Sequence, residues 1–86
     1  MSNPSFNVKI TSPNKILYEG EAESVTSTNS NGLFDILADH ANFITLIENK
    51  PIIIRLPKKP PLTFNFPIAI IYTSKNLVNI YTYSQN

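Results

Sequence analysis

Apolar residues in this chain recur at every second position, in short runs that turn-forming residues cut off. Phe6, Val8 and Ile10 alternate with Asn7 and Lys9, the pattern of a strand with one face in a core and one in water. Ser12-Pro13-Asn14 ends that run, because Pro fixes φ and Asn bonds its own backbone. Residues 15–19 and 22–28 read as two further strands, with a break at Gly20. Asn31-Gly32 signals a hairpin, since both residues tolerate positive φ, and residues 33–37 supply the return strand. Residues 38–42 read as a loop and residues 43–47 as extended chain. Ile52-Ile53-Ile54 is the most strand-prone run, while Pro57-Lys58-Lys59-Pro60-Pro61 can only be a loop. Residues 62–66, 68–73 and 77–83 complete the set. No stretch carries helical periodicity, so the expected fold is all-β: a small β-sandwich of about eight to ten short, mostly antiparallel strands.

Size makes this one domain, residues 1–86, with a thin core. There is no cysteine, so neither a disulfide nor a thiolate metal site supplements that core. The formal net charge of +1 lacks the basic excess of a nucleic-acid binder. Glu19, Glu21, Glu23 and Asp35 precede the cluster of Lys50, Arg55, Lys58 and Lys59. That order fits either ordinary solvated faces or a sandwich with opposite potentials at its two ends. The apolar runs fall far short of the roughly 20 residues a spanning helix needs. The opening Met1-Ser2-Asn3-Pro4-Ser5 has neither the basic start nor the apolar middle of a signal peptide.

Catalytic and metal-binding patterns are sparse. His40, between Asp39 and Ala41, is the only histidine, and no second histidine lies at ligand spacing. A hydrolase built on His40 with Asp35 or Asp39 is the weakest of the functions considered. Glu19, Glu21 and Glu23 would share one face of an unbroken strand; with Gly20 breaking it they read as a solvated acidic edge, not a glycosidase pair. No serine stands in a G-x-S-x-G elbow, and two glycines cannot build a phosphate-binding loop. Tyr72, Tyr81 and Tyr83 with Phe64 and Phe66 would make a stacking platform for single-stranded nucleic acid, but no basic residues interleave them. The expectation is therefore no catalytic residue, no cofactor, no metal and no nucleic-acid partner.

Three segments carry a resemblance that extends over residues 6–83. The first is Phe6-Asn7-Val8-Lys9-Ile10-Thr11-Ser12-Pro13-Asn14-Lys15-Ile16-Leu17-Tyr18-Glu19-Gly20; the third, weak by itself, is Asn76-Leu77-Val78-Asn79-Ile80. Between them, residues 31–46 are similar to a Gly-x-Phe/Leu-x-Ile-Leu-x-x-His-Ala signature, here Gly32-Leu33-Phe34-Asp35-Ile36-Leu37-Ala38-Asp39-His40-Ala41. Together they resemble the amino-terminal β-sandwich of the epsilon subunit of F-type ATP synthases.

The resemblance implies a non-catalytic central-stalk subunit of a proton-translocating machine. It would couple the gamma subunit to the membrane ring of c subunits, with the alpha/beta head in the same complex. Carried over by position, Ser30, Asn31, Gly32 and Leu33 at the hairpin tip, and His40, Ala41 and Asn42 in the following loop, would face the c-ring. The place implied is peripheral, on the cytoplasmic face of the bacterial inner membrane or the matrix or stromal face of an organelle, touching the membrane only through partners. Four departures stand out. The chain stops at Asn86, where many members continue into an inhibitory helical hairpin, so coupling without that brake is implied. The usual Pro-Gly before the histidine is Ala38-Asp39, the usual proline after His-Ala is Asn42, and a usual Gly-Gly pair is replaced at Phe66-Pro67-Ile68-Ala69. The alternative is a free-standing β-sandwich that binds peptide or carbohydrate through its loops or tyrosines.

Overall fold

The computed structural model describes residues 4–83. In chain order the strands are β1 Phe6–Thr11, β2 Ile16–Ala22, β3 Ser24–Asn29, β4 Gly32–Leu37, β5 Phe43–Glu48, β6 Pro51–Arg55, β7 Leu62–Asn65, β8 Ile68–Ser74 and β9 Leu77–Thr82. They form two sheets, β2-β1-β9-β8-β5 and β4-β3-β6-β7, packed face to face as the alternating pattern requires. Every pairing is antiparallel except β1 with β9, which brings the first and last strands side by side.

The inward residues of both layers are β-branched almost throughout. Val8, Ile10, Ile71, Val78 and Ile80 of the five-stranded sheet meet Val25, Ile52 and Ile54 of the four-stranded sheet, all fully buried. Each such isoleucine contributes about 1.5–3 kcal/mol of apolar transfer. Hydroxyls that enter this layer are tied to backbone carbonyls. Ser27 donates to Pro51 O at 2.8 Å and Thr82 to Ile68 O at 3.0 Å, so neither is left unpaired.

Two expectations change. Gly20 does not break a strand; β2 runs through it, with Gly20 opposite Val8. Its role is steric, because a Cβ there would lie 2.8 Å from Tyr18 Oη, whose ring occupies the same inward face and packs on Phe64. Glu19 and Glu21 accordingly share the outer face of edge strand β2, while Glu23 lies in the bend that follows. Nor do the charges divide by end. The backbone N–H of Glu23 donates to Arg55 O at 2.7 Å, and Glu23, Asp39 and Arg55 line one shallow groove.

Register assigns the loops to two ends. At one lie the 12–15 turn, the β3–β4 turn and the 49–50 turn; at the other lie residues 38–42, the proline-rich 56–61 loop and the 75–76 turn.

Candidate interaction surfaces

The β3–β4 turn is built on Ser30 and Asn31, and of this segment only Gly32 takes positive φ, at 120°. The hairpin expected at Asn31-Gly32 is present, with its two turn residues one position earlier, at Ser30 and Asn31. Asn29 explains the difference. Its Oδ1 accepts the Asn31 N–H at 2.8 Å while its Nδ2 donates to Thr45 Oγ1 at 2.9 Å, so one carboxamide shapes the turn and fastens it to β5. Leu33, just past the turn, is 77% exposed.

The His40 loop is pinned differently. Asp39 occupies the left-handed region at φ 64°, a conformation Asp tolerates better than most residues, and so serves where the family usually has glycine. His40 Nδ1 lies 2.8 Å from Leu37 O; a carbonyl only accepts, so Nδ1 carries the proton. Nε2 is buried with no partner among the described residues, and the ring meets Phe6 edge-on at 5.4 Å. From below, the buried hydroxyl of Thr73 donates to Ala41 O at 2.8 Å. Phe34, Phe43 and His40 border a groove of about 420 Å³ at this end.

These two clusters are not neighbours. Ser30, Asn31, Gly32 and Leu33 precede or begin β4, whereas His40, Ala41 and Asn42 follow its far end. The six-residue strand β4, which starts with Gly32 and Leu33, sets its two ends roughly 17 Å apart. The form of the hydrolase arrangement that pairs Asp35 with His40 is not assembled either. Asp35 pairs with Thr26 on the outer face of the four-stranded sheet, while His40 packs against Phe6 of the other sheet. The five aromatics also fail to make one platform, since Tyr72, Tyr81 and Tyr83 are exposed and Phe64 and Phe66 stack on each other against the core.

The largest feature is one that the sequence reasoning missed. On the outer face of the five-stranded sheet, Leu46 lies opposite Ile70 and Ile70 opposite Tyr81; the next row aligns Ile44 with Tyr72. Ile68 extends the patch, and all six side chains are between 41% and 67% exposed. The patch lies on β5, β8 and β9, with Glu48 opposite Ile68 and Asn79 opposite Tyr72 as polar members, and Ile16 of β2 is a separate exposed apolar residue. Across β1 and β2 the same face continues as Asn7, Lys9, Thr11, Glu19 and Glu21. A half-face that is mostly apolar over three strands and mostly polar over the next two has the anatomy of a contact surface with a rim. The signal was present in the sequence as Ile68-Ala69-Ile70-Ile71-Tyr72, where apolarity runs on without alternation.

Nine strands in two sheets, with an exposed apolar patch on one of them, define the class of small all-β sandwich domains. The chain belongs to the ATP synthase delta/epsilon chain β-sandwich family, whose model matches residues 5–84. It is 28% identical over 75 residues to the ATP synthase epsilon chain of Chlorobaculum tepidum, covering 87% of this chain and 85% of that one. Over 43 residues it is 46% identical to the epsilon chain of Sulfurimonas denitrificans, which is half of this chain but 33% of that protein. The chain thus spans about a third of the first curated relatives it matches. Its fold is that of a chain in the central stalk/c-ring structure of the Tetrahymena thermophila mitochondrial ATP synthase, with TM-score 0.78, 13% identity, and coverage of 98% and 67%. A chain of the Euglena gracilis mitochondrial enzyme aligns at TM-score 0.85 and 12% identity, covering 95% and 53%.

Proposed function

We propose that this chain is a non-catalytic coupling domain of a rotary, proton-translocating ATP synthase, held between a gamma-type subunit and the membrane ring of c subunits. The observation that carries the reading beyond family membership is the apolar half-face on β5, β8 and β9. Such a face is costly to leave in water and suits a permanent partner. Gamma takes this face, and the nearby His40-Ala41-Asn42 loop extends the same contact. Ser30, Asn31, Gly32 and Leu33, at the opposite end, meet the polar loops of the ring. Reassigning the His40 loop follows from its distance from the hairpin tip, which one flat partner would not span.

In this role the domain transmits torque through packing and needs no titrating group. It is peripheral, on the cytoplasmic face of a bacterial inner membrane or the corresponding organellar face, and the alpha/beta head shares its complex. The free-standing module is less well supported. The shallow groove at Ile68, Ile70, Tyr81 and Tyr83 offers a sugar no charged group, and the Thr82 hydroxyl in it is bound to Ile68 O.

Affinity capture of the tagged chain from its own membranes in mild detergent tests the proposal. Gamma, alpha, beta and c subunits are expected in the eluate by mass spectrometry. Recovery of the chain alone would leave only the fold. Because the chain has no cysteine, single replacements report cleanly: Leu33→Cys is expected to crosslink to c, and Ala41→Cys to gamma.

A further inference from the structure

We propose that Asn31 is a site of spontaneous backbone-assisted deamidation, by which the hairpin tip acquires a carboxylate and, in part, an isopeptide linkage. The reaction needs an asparagine with a free carboxamide, a following residue that does not obstruct the ring it must form, and room around both.

Asn31 meets each requirement. It is exposed in the turn, and although its N–H is held by Asn29, its carboxamide has no partner among the described residues. Gly32 follows it, and a Cβ built on Gly32 would meet nothing within 4 Å, so the space for a cyclic imide is open. The other asparagines provide an internal contrast. Asn29 precedes a small residue too, but its carboxamide is engaged at both ends, and its amide nitrogen, the group that must leave, donates to Thr45. Every remaining asparagine among the described residues precedes a branched, aromatic or long side chain that crowds the attacking nitrogen.

The chemistry closes without a co-reactant other than water. The Gly32 backbone nitrogen, on losing its proton to base, attacks Asn31 Cγ. The N–Cγ bond forms, the Cγ–Nδ2 bond breaks, and ammonia departs to leave a five-membered imide. Water then opens the imide at Cγ, restoring the peptide as aspartate, or at the backbone carbonyl, giving isoaspartate with one extra backbone carbon. Either product removes the chain's formal excess of +1. The step has a structural gate, because Gly32 is paired with Asn29 in the last rung of the β3–β4 ladder. That rung must open before the nitrogen is free, and the final rung of a hairpin opens at small cost.

The test uses the intact folded protein and does not depend on its place in any assembly. Samples are held at neutral and mildly alkaline pH, digested, and mapped by mass spectrometry with chromatographic separation of the two acidic products. Conversion at Asn31 is expected to outpace that at any other asparagine by an order of magnitude, to yield both aspartate and isoaspartate, and to accelerate with pH. Asn31→Gln, which would require a larger ring, is expected to abolish it. Thr45→Val, which removes the anchor of Asn29, is expected to speed it several-fold by loosening the turn. The proposal is overturned if Asn31 persists while a free Ser-Asn-Gly-Leu peptide converts. Aspartate formed with no isoaspartate, or conversion spread over other asparagines, would overturn it as well.

Discussion

The two outer faces of this sandwich are made by the same kind of strand and finished in opposite ways. On the four-stranded sheet the outward positions Thr26, Thr28, Asp35, Thr63 and Asn65 are polar, with Asp35 hydrogen-bonded to Thr26, and the apolar Leu33, Leu37 and Ile53 are scattered among them. On the five-stranded sheet the corresponding positions of β5 and β8 are Ile44, Leu46, Ile68, Ile70 and Tyr72. Threonine and isoleucine are both β-branched and fit a pleated surface equally well. Strand formation therefore does not explain the choice. On the proposed function, the difference lies in what covers each face, water in one case and a partner subunit in the other.

The most damaging way to break this contrast is a charge in the middle of the apolar face. Ile70 is flanked by Leu46 and Tyr81, so Ile70→Lys places an ammonium where a partner would exclude water. Loss of a central apolar contact of this kind costs about 2–4 kcal/mol of binding. Co-purification of gamma is expected to fail, while the urea midpoint of the isolated domain stays near that of the unmodified chain. Retained co-purification would remove this face from the assembly.

A smaller effect is expected beneath the His40 loop. Thr73 is fully buried and donates to Ala41 O, so Thr73→Val keeps the shape and strands a carbonyl. The cost is about 1–3 kcal/mol by urea unfolding. If the loop belongs to the gamma contact, gamma retention weakens with it. If stability falls and gamma binding is unchanged, the loop stands outside the interface and the apolar face acts alone.

Gly20→Ala is expected to cost less, about 1 kcal/mol, because the atom a new Cβ would meet is the mobile end of Tyr18. A fall in the unfolding midpoint without any change in partner capture would confine Gly20 to the inward packing of β2.

Much of this was legible in the sequence, and the omissions have physical causes. Phe6, Val8 and Ile10 alternate cleanly because β1 is apolar on one side only, and Phe6 to Ile10 were placed correctly. The hairpin signal at Asn31-Gly32 lies one residue past the observed Ser30-Asn31 turn, whose conformation depends on Asn29 reaching across to Thr45, a contact between residues 16 positions apart. Gly20 looked like a breaker because glycine weakens strands on average. Its use here depends on a tyrosine two residues away on the same face. The separation of Leu33 from His40 is already implied by the strand read at residues 33–37; grouping the two segments on one partner came from the resemblance, not from that strand. The apolar face was visible as unbroken apolarity in β8, yet an unbroken run describes a doubly buried strand just as well. Only the pairing of β8 between β9 and β5, with no third layer over them among the described residues, distinguishes the two.

The smallest expected effect completes the comparison from its other side. Thr63 lies outward on β7 at the edge of the four-stranded sheet, opposite Ile53. Thr63→Lys is the same chemical insult as Ile70→Lys, an ammonium on an outward strand position. Here the position is an exposed one on an edge strand, with Ile53 as its only direct cross-strand neighbour among the described residues, so the change is expected within about 0.5 kcal/mol in stability. Capture of gamma should be unaltered. A loss of capture from Thr63→Lys would mean that the polar face is also covered in the assembly. Threonine and asparagine there would then be contact residues selected for hydrogen bonding, and the two faces would differ in the chemistry of their partners, not in whether they have one.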